Sequence, residues 1–116
     1  MLTTVVSLCI VGPAHALNAR TWVSGAGVDQ AGCGPIASPC RTLQFAHDQT
    51  APRGEINFKD SAGYGSFAIT KPIIVAAEGV LAGVLAADDG DAITVDVGPY
   101  DRVSLRNLSI GRITLQ

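Results

Sequence analysis

The strongest constraint on the fold is the sequence pattern after residue 54, where short apolar segments alternate with the turn-forming residues Gly, Asp and Pro. The pieces span residues 55–58, 67–70, 73–76, 80–86, 92–97 and 103–110. Each has the length of a strand, and no helical pattern lies between them. Thirteen Gly and 5% aromatic residues also favour many turns and small side chains. The pattern predicts a mainly β fold.

The most informative of these pieces is residues 103–110, which contains two strands around a corner. Val103 and Leu105 alternate with polar residues, and Leu108 and Ile110 do so again after the corner. Asn107 suits that corner because asparagine tolerates a positive φ, and its side chain can bond backbone groups. The stretch therefore predicts a bend within the wall of a sheet.

A similar bent pair occurs earlier in the chain, at residues 67–75, with its corner at Lys71-Pro72. Aligning the second strand of each pair places Ile73 opposite Leu108. A single period of this kind predicts stacked coils of three strands each.

Residues 1–16 form an apolar segment that ends in Gly-Pro and then Ala-His-Ala. An apolar core, a helix breaker and an Ala-x-Ala sequence are typical of a secretory signal peptide, here cleaved after Ala16. A buried N-terminal strand is the alternative, since no Lys or Arg precedes the apolar run. The run is shorter than the about 20 residues that a membrane span needs. We expect a secreted or periplasmic protein that is not an integral membrane protein.

Removal of residues 1–16 would leave two cysteines, Cys33 and Cys40. An even number of cysteines in an exported chain predicts a disulfide between them, and two small buried thiols are the alternative. With His47 as the one remaining histidine, the chain has too few ligands for a typical structural zinc site. We predict no metal and no cofactor.

One helix is predicted between the cysteine loop and the β region. Ser38 is a good N-cap residue, and Pro39 suits the first helical position. Apolar residues then share one face at three-residue spacing: Cys40, Leu43 and Ala46. The Pro-Arg-Gly sequence at residues 52–54 is expected to end the helix.

Several short motifs follow one another in order along residues 20–110. They are Thr-Trp-Val-Ser-Gly-x-Gly from residue 21, Pro-Cys-Arg-Thr from 39, Gly-Glu-Ile-Asn from 54, Gly-Tyr-Gly from 63, Ile-Thr-Lys-Pro-Ile from 69, Glu-Gly-Val from 78 and Val-Ser-Leu-Arg-Asn-Leu-Ser-Ile from 103. Their order resembles the N-terminal region of bacterial secreted right-handed parallel β-helix proteins, which share the pectin-lyase-like fold. The resemblance implies that the helix caps the first coil through Leu43, Phe45 and Ala46, shielding a sheet edge. A small β-sandwich is the alternative fold.

The chain is predicted to have three parts: a signal peptide at residues 1–16, an N-terminal strand, disulfide loop and capping helix at 17–54, and about two β-helix coils at 55–116. Members of that family carry many coils, so we expect a truncated β-helix that can self-associate through its open end. The expected function is a secreted, non-catalytic scaffold that contacts extracellular polysaccharide. The alternative is the N-terminal fragment of a polysaccharide lyase or glycoside hydrolase whose catalytic coils are missing. A truncated product with no stable function is a third reading.

The candidate polysaccharide contacts are Arg102, Arg106 and Asp96. Asp96 lies between Val95 and Val97 and is expected to point outward from its strand. Arginines at outward or corner positions would form charge-assisted bonds to an acidic polysaccharide. Ordinary solvated charges are the alternative for all three residues. The acidic residues are scattered and the lyase motifs of the family are absent, so no catalytic residue is predicted.

The remaining features have ordinary structural explanations. Residues 88–91, Asp-Asp-Gly-Asp, resemble a plain turn more than a calcium loop. Trp22 and Tyr64 are the candidate aromatic platforms for a sugar, and a buried Trp that packs against the cap is the favoured interpretation. A net charge of −2 with only 8 basic residues excludes nucleic acid as an expected partner.

Overall fold

A computed structural model describes residues 16–86 and 90–116. Its elements in chain order are β1 (Asn18–Val23), α1 (Leu43–Gln49), β2 (Thr50–Phe58), β3 (Ala62–Gly63), β4 (Phe67–Ile69), β5 (Ile73–Ala76), β6 (Ala82–Val84), β7 (Ile93–Val95), β8 (Val103–Arg106), β9 (Leu108–Ile110) and β10 (Ile113–Leu115). Most of them are short strands, which confirms the predicted mainly β fold. The predicted signal peptide lies outside the described residues except for Ala16.

The strands form three small parallel sheets. Sheet A has the order β1-β2-β5-β8, sheet B has β3-β6-β9, and sheet C has β4-β7-β10. From β2 onward the chain visits sheets A, B and C in turn, and each strand pairs with the strand three elements later. This rotation occurs three times in the described residues, whereas the sequence predicted about two coils.

Alternation along each strand separates an inner from an outer set of side chains. In sheet A, Thr21, Ile56, Val75 and Leu105 stand opposite one another in successive strands. The first three of these side chains are buried. Such inner rows from all three sheets form one apolar core.

The predicted corner at Asn107 is confirmed, but the predicted alignment is wrong. Asn107 has φ 58°, and its side-chain amide donates to the Ala77 carbonyl oxygen at 3.0 Å. Ile73 pairs with Val103 rather than Leu108. The error arises because two different corners were aligned: Lys71-Pro72 joins sheet C to sheet A, whereas Asn107 joins sheet A to sheet B.

The helix is shorter than predicted at its start. Its N-cap is Thr42, whose hydroxyl oxygen accepts the Phe45 N–H at 3.3 Å, so the prediction of Ser38 as N-cap is wrong. Cys40 runs beside β1 instead: its N–H donates to the Trp22 carbonyl and its carbonyl accepts the Ser24 N–H. These bonds hold the chain in an extended conformation up to the helix.

The helix ends before residues 52–54, which lie inside β2 rather than terminating the helix. Thr50 closes α1, because its hydroxyl donates to the Ala46 carbonyl oxygen at 2.6 Å. Arg53 then has φ 67°, and the register between β1 and β2 shifts between Asn18 and Arg20. The Pro-Arg-Gly sequence is therefore an irregularity in a strand.

The predicted disulfide between Cys33 and Cys40 is confirmed, with a Cα–Cα distance of 5.1 Å and both residues buried. It joins the loop after β1 to the segment that leads into α1. The inner face of that helix packs against β1, β2 and β4. Leu43 and Ala46 are fully buried and Phe45 is partly buried, in agreement with the three apolar contacts expected of this helix.

Burial falls along the inner rows toward the last round of strands. In sheet C, Phe67, Ile93 and Ile113 are aligned, and they are 4%, 0% and 43% exposed. In the next inner row, Ile69 is fully buried whereas Leu115 is 77% exposed. No further strand of the described chain covers β8, β9 and β10.

Candidate functional site

A groove of about 260 Å³ lies on sheet A beside the start of its strands. Its lining residues are Arg53, Pro72, Ile73, Ile74, Tyr100, Asp101 and Arg102. We call this set the arginine groove. It combines two cations, one carboxylate, one aromatic ring and an apolar floor on the outside of the molecule.

Backbone hydrogen bonds between successive strands of sheet A position the two arginines. The Arg53 N–H donates to the Pro72 carbonyl oxygen at 2.7 Å, and the Ile73 N–H donates to the Arg102 carbonyl oxygen at 3.2 Å. Arg53 and Arg102 therefore lie on opposite sides of Pro72, each one strand spacing away from it. Since neighbouring strands lie about 4.8 Å apart, their backbones are separated by roughly 10 Å.

Arg53 has a left-handed backbone conformation, with φ 67°. A non-glycine residue adopts this conformation at some energetic cost. Arg53 lies at the irregularity between β1 and β2, and its own N–H is held by the Pro72 carbonyl oxygen, so the surrounding backbone maintains this conformation.

A tight turn presents the aromatic side of the groove. The Asp101 N–H donates to the Gly98 carbonyl oxygen at 3.1 Å, and the Asp101 carboxylate accepts the Gly98 N–H at 2.9 Å. Tyr100 lies in this turn and is 99% exposed. Large aromatic side chains bury apolar area when a ligand stacks on them, and their hydroxyl groups also hydrogen-bond.

The structure places the three predicted contact residues at separate positions. Arg102 lines the arginine groove. Arg106 is exposed at the opposite end of β8, beside Ala76 of β5. Asp96 is exposed after β7, and its N–H donates to the Ile69 carbonyl oxygen in sheet C. Only Arg102 therefore belongs to the groove.

The two aromatic platforms differ in exposure. Tyr64 is fully buried, and its hydroxyl group donates to the Asp60 carboxylate at 2.7 Å, so this candidate ring is not accessible to a sugar. Burial raises the pKa of the Tyr64 phenol well above its usual range. Trp22 is half-buried and lines a second, smaller recess with Asn57 and Glu78.

Sequence reasoning missed Arg53 and Tyr100. Arg53 was interpreted as part of a helix terminator, and Tyr100 was not assigned a role. The Gly-Pro-Tyr-Asp sequence at residues 98–101 was the available signal for an exposed turn. The alignment of Arg53 with Arg102 depends on sheet register, which one sequence period does not specify.

The predicted turn at residues 88–91 lies partly outside the described residues. Its last member, Asp91, forms a salt bridge of 2.9 Å to the Arg112 guanidinium. Among residues 16–86 and 90–116, no group of three or more His, Cys, Asp and Glu side chains is arranged to hold a metal ion. The same residues include no helix long and apolar enough to cross a membrane.

Comparison with known proteins adds no identification. No protein-family model, no curated protein and no solved structure matches the chain.

Proposed function

We propose that the chain folds as a short right-handed parallel β-helix of an exported protein, a non-catalytic scaffold that binds acidic polysaccharide in the arginine groove. The observation that carries the binding proposal is the placement of Arg53 and Arg102 on opposite sides of Pro72, next to exposed Tyr100.

The repeated passage from sheet A to B to C supports the β-helix assignment. In such a passage every strand stacks in parallel on the strand of the preceding round. Connections between parallel strands of one sheet are right-handed in about 98% of cases. Helix α1 contacts β1, β2 and β4, at the end of the stack where a cap would lie. The disulfide supports export, because such bonds persist in oxidising compartments.

An acidic ligand is supported by the charge and spacing of the groove. The groove is lined by two arginines and one aspartate, and Asp101 already accepts a hydrogen bond from Gly98. Guanidinium groups bind carboxylates through paired, charge-assisted hydrogen bonds. The apolar floor at Ile74 and the ring of Tyr100 would contact the sugar ring.

Binding is favoured over cleavage by the chemistry of the lining. Glycoside hydrolysis commonly uses two carboxyl groups on opposite sides of the scissile bond. Asp101 is the one carboxylate among the residues that line the groove. The groove therefore fits a surface that holds a polysaccharide rather than one that breaks it.

Binding is tested with the oxidised protein and a soluble polyuronate, using affinity electrophoresis or calorimetry. We expect Arg53→Ala and Arg102→Ala each to weaken binding about tenfold, since a hydrogen bond to a charged group contributes about 1.5–3 kcal/mol. Added salt should weaken binding as well.

The matched control is Arg106→Ala, which removes an equal charge at the far end of β8, outside the groove. The methyl-esterified polysaccharide is the matched ligand. Equal losses in all three variants would indicate general charge attraction and contradict a groove-specific site. Undiminished binding of the esterified ligand would contradict recognition of acidic groups.

Self-association through the open end forms a second part of the proposal. The exposed inner side chains Ile113 and Leu115, and the uncovered edges of β8, β9 and β10, support a second copy as the layer that covers them. Sedimentation of the wild type is compared with Leu115→Lys, which should abolish association. Ser109→Lys is the control, because Ser109 is exposed on the outer face of β9. A wild-type monomer at all concentrations would contradict association.

A further inference from the structure

His47 joins α1 to the corner between β4 and β5. Its side chain is 2% exposed, and both ring nitrogens have partners. Nδ1 lies 3.0 Å from the Asp48 carboxylate, and Nε2 lies 3.2 Å from the Thr70 backbone nitrogen. A backbone N–H only donates, so Nε2 accepts this bond and carries no proton. The proton of the neutral ring is therefore on Nδ1, facing Asp48.

One negatively charged and one positively charged side chain act on the imidazole ring. Asp48 lies on α1 itself, and Lys71 follows β4, with its ammonium group donating to the carbonyl oxygens of His47 and Thr50 at 3.0 and 2.8 Å. Burial lowers the pKa of His47; Asp48 opposes this effect, and the charge of Lys71 adds to it. The Phe67 ring closes another side in a T-shaped contact, with a centroid separation of 6.3 Å.

The other two elements packed on α1 contribute hydroxyl groups and an ion pair. Thr21 of β1 and Thr50 of β2 share a buried hydrogen bond of 2.7 Å. The charged side chains of these strands are Arg20, Glu55 and Arg53: Arg20 and Glu55 face each other at 3.7 Å, and Arg53 lines the arginine groove. The electrostatic environment of the imidazole is therefore dominated by Asp48 and Lys71.

We propose that His47 is an acid-released latch that holds α1 against the β4–β5 corner at neutral pH. Uptake of a proton from solvent at Nε2 removes the acceptor of the Thr70 N–H, leaving two donors facing each other. The new imidazolium charge also lies in the same cluster as the Lys71 ammonium group. Both effects favour separation of α1 from the corner, which exposes the end of the stack that α1 covers.

The latch is independent of ligand binding in the arginine groove. His47, Thr70 and Asp48 are not among the groove residues. A failure of polysaccharide binding in the test above would therefore not contradict the latch, and a failure of the latch would not contradict polysaccharide binding.

The test is amide hydrogen exchange of Thr70 and the α1 residues, followed by NMR on the full chain between about pH 8 and about pH 5, where histidine titrates. After correction for intrinsic exchange, the opening of Thr70 should increase as the pH falls below 6.5, the ordinary histidine value. The increase should approach tenfold per pH unit until the folded pKa is reached. His47→Gln keeps a side-chain acceptor without a titrating group and should remove this pH dependence.

Two further variants separate the latch from a purely structural role. Asp48→Asn removes the charge that favours the imidazolium in the closed protein, so the pH at which the increase in opening levels off should shift to lower values. Lys71→Met removes a repelling charge, so this levelling-off should shift to higher pH. Opening of Thr70 that does not change with pH in the wild type, or that changes equally in His47→Gln, would overturn the proposal. Shifts of both variants in the same direction would overturn it as well.

Discussion

The Asp29 carboxylate holds Thr42 by two bonds, accepting its backbone N–H at 3.0 Å and its hydroxyl group at 2.7 Å. The same carboxylate accepts the Arg41 N–H at 2.7 Å. Thr42 in turn caps α1 by accepting the Phe45 N–H. The glycine-rich loop after β1 thus orients the residue that starts the helix, thirteen residues further along the chain.

We expect Asp29→Ala to lower the free energy of unfolding by about 1–2 kcal/mol, because it releases the cap residue and leaves backbone donors at the helix start unpaired. Asp29→Asn keeps one acceptor oxygen and should lose less. Urea denaturation measures both. A stability of Asp29→Ala equal to that of the wild type would show that the loop does not support the helix.

The row Phe67–Ile93–Ile113 allows one substitution to be compared at two levels of burial. Ile93→Ala should destabilise the protein by about 2–5 kcal/mol, as a large-to-small change in a packed core does. Ile113→Ala removes the same atoms from a side chain that is 43% exposed, and should have a clearly smaller effect. Equal losses in thermal or urea unfolding would indicate that the last round is covered in solution.

Two glycines differ in whether the surrounding structure leaves room for a Cβ atom. A Cβ at Gly27 would lie 2.2 Å from the Cys40 carbonyl oxygen, whereas a Cβ at Gly63 would meet nothing within 4 Å. Gly27→Ala should therefore strongly destabilise the protein or prevent disulfide formation. Gly63→Ala should be neutral or stabilising by up to about 1 kcal/mol, since alanine restricts the unfolded chain more. Free-thiol titration and urea unfolding measure the two effects, and a neutral Gly27→Ala would contradict the close approach.

The hydrogen bonds of Asp60 predict that the free energy of unfolding decreases in acid. Its carboxylate accepts hydrogen bonds from the Ser24 hydroxyl, the Gly25 N–H and the Tyr64 hydroxyl, and these bonds, that of Ser24 first, lower its pKa below 3.8. As the pH falls, Asp60 of the unfolded chain therefore takes up a proton at a higher pH than Asp60 of the folded protein does. The stabilisation is complete above 3.8 and is lost as the pH falls toward the folded pKa.

Asp60→Asn should reduce the pH dependence of the urea midpoint in this acidic range, while Asp96→Asn is the control at an exposed carboxylate outside this cluster. If both variants retained the wild-type slope, the hydrogen bonds of Asp60 would not be the source of the acid sensitivity.

Much of the local structure is predictable from residue order. The corner at Asn107 follows from alternation on both sides of a residue that tolerates positive φ, and the disulfide follows from two cysteines near each other in a chain that is predicted to be exported. The start of α1 was misplaced because Ser38 and Pro39 have strong local preferences for a helix start. The backbone hydrogen bonds that Cys40 donates to Trp22 and accepts from Ser24 override those preferences.

The arginine groove was only partly predictable. Arg102 could be selected as an outward charge near a corner, but its partner Arg53 is distant in sequence, and Tyr100 lies in a turn without periodic pattern. The sequence by itself determined which segments become strands, where the chain bends and which cysteines pair, because these depend on neighbouring residues. The tertiary structure alone decided that Ile73 stacks on Val103, that Tyr64 is buried and that His47 meets Thr70. Those outcomes depend on the register between strands far apart in the chain, where a shift of one residue exchanges the inner and outer faces.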